Sequence, residues 1–122
     1  MASKIIIAED DQFVAKAMLT KLTKEGFEVK IVSDGVQLME LLKSYIPDLI
    51  ILDLLMPKKD GFEVLTAMKA DAKLKDIPVI MLTNLGEEAD VKRARKLGAS
   101  DYMIKAHFLP SEVIAVVKKY LK

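Results

Sequence analysis

Residues 49–57 read LIILDLLMP, four aliphatic side chains running straight into Asp53. A short apolar run closed by turn-forming residues is the pattern of a strand covered on both faces. Working outward, the pattern recurs at 4–8 (KIIIA), 27–32 (FEVKIV), 79–82 (VIML) and 102–104 (YMI). The run 27–32 alternates apolar and polar residues, which suits an edge strand. Amphipathic stretches at helical spacing lie between the runs. Residues 12–25 place Val14, Met18 and Leu22 four apart, and Gly26 then stops the helix. Residues 35–45 carry Leu38, Leu41, Leu42 and Tyr45, and residues 62–70 carry Phe62, Leu65 and Met68 or Lys69. Residues 87–97 carry Val91, Ala94 and Leu97 before Gly98. Residues 110–121 open with Pro110 at a first helical position and bury Val113, Val117 and Leu121.

Five strands thus alternate with five helices, and no linker, low-complexity run or repeat interrupts them. Alternating βα units predict an α/β fold, a doubly wound five-stranded parallel sheet of (βα)5 form with right-handed crossovers. The five units consume residues 1–122 as a single domain, leaving no room for an output domain within the chain. Ligands of such sheets bind at the carboxyl ends of the strands.

Composition narrows the chemistry. The chain has no Cys, so thiolate metal, redox and nucleophile sites are excluded. Its single His, His107, excludes a His-pair zinc site and argues against a His-based triad. Neither GxGxxG nor GxxxxGK[ST] occurs, so no nucleotide cradle is expected. No run approaches the roughly 20 apolar residues of a membrane helix, and the N-terminus lacks the apolar region of a signal peptide. With 19 basic and 18 acidic residues the formal net charge is +1, which argues against direct nucleic-acid binding. A cytoplasmic domain without membrane contact is the expectation.

The strand ends collect the polar chemistry. Strand one ends in Glu9-Asp10-Asp11, strand three in Asp53, strand four in Thr83-Asn84 and strand five in Lys105. Glu9, Asp10 and Asp53 bring three negative charges into one crevice, and Lys105 returns one positive charge. The remainder repels itself at close range unless protons or a divalent cation enter. All-oxygen donors select a hard ion, Mg²⁺ first, with Mn²⁺ or Ca²⁺ as alternatives. A cation, an ammonium, a hydroxyl and a nucleophilic carboxylate are the parts of phosphoryl transfer onto an aspartate.

Taken together, Glu9-Asp10, Asp53 in LIILDLLMP, Asp60-Gly61, Thr83 in IMLT, and Tyr102 with Lys105 in GASDYMIK carry a resemblance. The chain resembles, over essentially its whole length, the receiver domain of two-component response regulators, the chemotaxis regulators among them. The resemblance implies a flavodoxin-like sheet of order 2-1-3-4-5. It implies Asp53 as phosphoacceptor for a histidine kinase or phosphotransfer protein, signalling to an output partner or domain. It further implies Asp10 as a direct Mg²⁺ ligand, Glu9 acting through water, and the Leu55 backbone carbonyl as another ligand. Lys105 matches the lysine that pairs with Asp53 or its phosphate. Thr83 and Tyr102 match the hydroxyl and aromatic that move inward on phosphorylation and remodel the face of helix four, strand five and helix five. Asn84 and Ala106 flank the site. The family usually has Pro, often cis, after the strand-five lysine. Ala106 stands there instead, and a cis non-Pro bond costs about 3–4 kcal/mol, so Lys105-Ala106 is expected trans or strained. Such a domain is a switch more than an enzyme, catalysing only its own phosphorylation and slow dephosphorylation. The rival readings are a receiver-like module that is never phosphorylated, and a phosphatase with an aspartate nucleophile. The latter class typically shows a second Asp two residues after the nucleophile, where this chain has Leu55.

Other polar residues have ordinary roles. Asp11 and Asp34 cap helices one and two, and Asp60-Gly61 makes the turn before helix three. His107 is a surface residue. The run Lys92, Arg93, Arg95, Lys96 reads as a solvated face that complements the helix dipole. Met18, Met39, Met56, Met68, Met81 and Met103 read as core or near-core fillers.

Overall fold

The run LIIL forms β3 (Leu49–Leu52), and every residue of it is buried. The computed structural model describes residues 2–107 and 109–121. In chain order the elements are β1 (Lys4–Ala8), α1 (Gln12–Lys24), β2 (Glu28–Val32), α2 (Gly35–Leu41), β3, α3 (Gly61–Lys69), β4 (Val79–Thr83), α4 (Glu88–Lys96), β5 (Asp101–Ile104), a 3₁₀ turn (Lys105–His107) and α5 (Pro110–Tyr120). The strands form one parallel sheet in the order 2-1-3-4-5. β2 is an edge strand, and its half-exposed alternation follows from that position.

Strand pleating divides the core in two. Ile6, Ala8, Ile50, Leu52, Val79 and Met81 face α2, α3 and α4, where Leu38, Leu65, Met68 and Ala94 pack. Ile5, Ile7, Leu49, Ile51, Ile80 and Leu82 face α1 and α5, where Met18, Leu22, Val113 and Val117 pack. The methionines expected as fillers are buried or packed against these clusters.

Where element ends differ from the expectation, backbone hydrogen bonds give the reason. Phe27 lies outside β2 because its N–H donates to the Leu22 carbonyl at 3.1 Å, while the Gly26 N–H donates to Thr23 at 3.0 Å. This bond pair is a Schellman turn, which requires the positive φ of 92° that Gly26 adopts. Helix α2 stops at Leu41 rather than running to Tyr45. Lys43 and Ser44 close tighter bonds onto Glu40 and Leu41, and Pro47 follows. β4 extends one residue further, because Thr83 pairs with Ile104. Leu121 is only half-buried beyond the end of α5.

Leu22 is fully buried between α1 and the sheet, whereas Phe13 on the same helix is 89% exposed. Leu22→Ala should therefore cost about 2–5 kcal/mol in urea unfolding, and Phe13→Ala should leave the midpoint nearly unchanged.

Candidate functional site

The backbone ladder runs one residue past the strands at the carboxyl edge. The Glu9 N–H donates to the Val32 carbonyl at 3.0 Å, and the Asp53 N–H donates to the Ala8 carbonyl at 3.0 Å. Strand pairing therefore fixes the backbone positions of both acids independently of their side-chain contacts. Carboxylate oxygens of Glu9, Asp10 and Asp53 all lie within 4.8 Å of one another. Glu9 and Asp53 are buried and Asp10 is exposed, so the cluster opens to water on its Asp10 side.

Lys105 reaches in from the end of β5. Its Nζ donates to Asp53 Oδ2 at 2.8 Å and forms an ion pair with Glu9. The other Asp53 oxygen, Oδ1, accepts from the Leu55 N–H at 3.1 Å. Glu9 Oε2 accepts from the Asp11 N–H at 3.3 Å. Burial, with a smaller contribution from Asp53, raises the Glu9 carboxyl from 4.5 to about 7 against the pull of Lys105. Burial also opposes the Lys105 charge, yet hydrogen bonds to Asp53 and Glu9 outweigh it and raise the ammonium's pKa. Three carboxylates against one ammonium leave the pocket in want of positive charge. Oxygen donors at this spacing fit Mg²⁺ or Mn²⁺ in charge and hardness.

Thr83 and Tyr102 lie at the same edge, but their hydroxyls engage the segment after β4. Thr83 is fully buried and its Oγ1 accepts from the Leu85 N–H at 3.4 Å. The Tyr102 hydroxyl donates to the Leu85 carbonyl at 2.5 Å. Burial, with Asp90 and Asp53 nearby, pushes the Tyr102 phenol up to about 12, so it stays a donor. One residue, Leu85, is thus gripped on both its N–H and its carbonyl. Asn84 and Ala106 are exposed beside the site. Among the described residues no peptide bond is cis, so Lys105-Ala106 is trans and leads into the 3₁₀ turn.

The expected structural roles are present. Asp11 caps α1, accepting from Phe13 and Val14 N–H, and Asp60 forms a reciprocal capping box with Glu63. Asp34 caps α2, accepting from the Gln37 N–H at 2.7 Å. His107 is exposed. The basic face of α4 is solvated as expected, except that Arg93 also stacks on the Phe62 ring at 4.1 Å. The sequence reading missed three exposed apolar residues around the site. Phe13 (89% exposed), Leu55 (55%) and Leu109 (65%) each follow a strand end that supplies an acid or Lys105. Phe13 could have been found as a large apolar residue beside, rather than on, the Val14–Met18–Leu22 seam. A groove of about 290 Å³ lined by Phe13, Val14, Met18, Pro110 and Val113 leads to Lys105.

A family model described as response regulator receiver domain matches residues 5–118. The DNA-binding response regulator MtrA of Mycolicibacterium paratuberculosis is 33% identical over 122 residues, which are 100% of this chain and 52% of that protein. The chain spans about half the length of the curated relatives it matches. Among solved structures, the phosphorylated cyanobacterial phytochrome response regulator RcpA is 34% identical with a TM-score of 0.86, covering 98% of this chain and 91% of that one. The Mn²⁺-bound form of response regulator Rcp1 is 34% identical with a TM-score of 0.82, covering 89% of this chain and 85% of that one. An acid-lined sheet edge on a 2-1-3-4-5 sheet agrees with these matches, and the chain belongs to the receiver domains of two-component response regulators, switches that histidine kinases phosphorylate on an aspartate.

Proposed function

We propose that Asp53 is the phosphoacceptor of this receiver domain, and that residues 1–122 form one such domain. The buried carboxylate of Asp53, held by Lys105 and beside Glu9 and Asp10, is the observation that supports this reading most directly. An Asp53 oxygen attacks the phosphorus of a phosphohistidine or a small phosphodonor. The bond from phosphorus to the donor breaks, and its electron pair leaves with the donor. Glu9, Asp10, Asp53 and the Leu55 carbonyl would hold Mg²⁺, or Mn²⁺ in its place. The bound ion supplies charge neutralisation for the phosphoryl oxygens. Lys105 neutralises a further phosphoryl oxygen, which it reaches by leaving Asp53 Oδ2. Burial of Asp53 and Glu9 limits water around the new acyl phosphate, so self-dephosphorylation is slow.

The new phosphoryl group competes for the Thr83 hydroxyl, which now caps the Leu85 N–H. Loss of that cap and the shared grip of Tyr102 on Leu85 carry the change to the face of α4, β5 and α5. The exposed apolar residues Phe13, Leu55 and Leu109 offer a rim that a histidine kinase or phosphotransfer protein covers. The output is a partner protein or domain, and the domain itself touches neither nucleic acid nor membrane. Among the described residues no helix is long and apolar enough to cross a membrane, which agrees with a cytoplasmic setting.

Incubation with Mg²⁺ and phosphoramidate should add one phosphate to the wild type by mass spectrometry, and none to Asp53→Asn. Equal labelling of both would sink the assignment.

The raised Glu9 carboxyl makes a second prediction. Metal-free folded protein holds the Glu9 proton up to about pH 7, whereas the unfolded chain releases it near 4.5. The folded state therefore binds more protons across that window, and its stability falls as pH rises from 4.5 through 7. Urea midpoints should decline over this range without metal, and Glu9→Gln should flatten the decline. Calorimetric Mg²⁺ affinity should rise through pH 7 as the competing proton leaves, a dependence that Glu9→Gln should also weaken.

A further inference from the structure

Residues 54–60, which carry the Leu55 carbonyl, contain a strained turn. Within them the Lys59 N–H donates to the Pro57 carbonyl at 2.8 Å across Lys58, whose φ is 69°. A bond from i+2 to i around a positive central φ is the mark of the rare, strained γ-turn. Lys58 is the only described non-glycine residue with positive φ. A strained residue of this sort persists only when its surroundings over-determine it.

Those surroundings are Asp34 and Gly35, at the start of α2. Asp34 is 4% exposed, and its Oδ1 is used by the Gln37 cap. Its second oxygen, Oδ2, lies 3.6 Å from Lys58 Nζ. The neighbouring Gly35 leaves a gap that the loop fills, since a Cβ there would lie 2.0 Å from the Lys59 carbonyl oxygen and 2.6 Å from the Lys59 Cβ. The loop backbone is therefore seated on Gly35 and tied to Asp34 across the γ-turn.

We propose that Asp34, Gly35 and Lys58 form a latch that positions residues 54–56, and with them the Leu55 carbonyl, for the divalent cation. Asp34 is then a positioning residue of the metal site as well as a helix cap. The proposal rests on the metal-site reading given above. The latch also explains why a carboxylate at the edge strand, away from Glu9 and Asp53, is buried with both its oxygens committed.

The test is Mg²⁺ titration of the ¹⁵N-labelled chain, followed by amide shifts. Wild type should show saturable shifts at Glu9, Asp10, Asp53 and Leu55, and their absence would defeat the metal-site reading itself. Lys58→Gly separates latch from charge. It suits the positive φ, so the fold persists, yet it removes the tie to Asp34. Loss of one positive charge near the pocket should by itself tighten Mg²⁺ binding. Loss of the latch should weaken it by up to about fivefold, the range for an ion pair whose lysine is 64% exposed. Asp34→Asn, which keeps the cap, should weaken binding likewise and displace the Leu55 amide before any Mg²⁺ is added. Lys58→Arg should bind as wild type does. Wild-type shifts with Lys58→Gly binding as tightly as wild type, or more tightly, would overturn the latch and leave the metal site standing.

Discussion

Two carboxylates, Glu9 and Asp53, are buried side by side, and one ammonium, Lys105, lies between them. Burying like charges together is costly, and breaking such an arrangement leaves an uncompensated charge. The protein meets that cost with a sheet whose strands β1, β3 and β5 end at the same edge. Backbone pairing holds the two acids in place, and the end of β5 delivers the lysine. The cluster remains short of positive charge even so. Burial, with Asp53 alongside, raises the Glu9 carboxyl to about 7, and the charge deficit suits the pocket to a divalent cation.

The same edge shows how a local chemical change can spread. Leu85 is bonded by Thr83 through its N–H and by Tyr102 through its carbonyl. Both grips depend on residues from adjacent strands, β4 and β5. A change in the partner of the Thr83 hydroxyl alters the support of the segment leading into α4. On the far side, the strained turn at Lys58 depends on Asp34 and Gly35, which begin α2. The pocket is therefore braced from both flanks by elements distant in sequence.

Much of this was legible in the chain. The βα rhythm followed from LIIL, KIIIA and VIML, because strands covered on both faces must be apolar at every position. Asp53 stood out because a carboxylate ending such a strand has no packing role. The caps at Asp11, Asp34 and Asp60 were legible because capping is a local hydrogen bond. The end of α2 was not, since Leu42 and Tyr45 still pack at helical spacing while the backbone tightens ahead of Pro47. Nor was the exposure of Phe13, which depends on what the neighbouring elements leave uncovered.

By itself the sequence determined the order of elements, the set of polar groups at the strand ends and the sign of their charge, since periodicity and composition are properties of the chain. Only the tertiary structure decided which of those groups meet. Lys105 is 52 residues from Asp53 in the chain, and their 2.8 Å contact exists because the strand order seats β5 beside β4. The double duty of Asp34 was decided there too. Capping needs only the next three residues, whereas the ion pair with Lys58 needs the loop after β3 to reach the start of α2, a placement that no local spacing encodes.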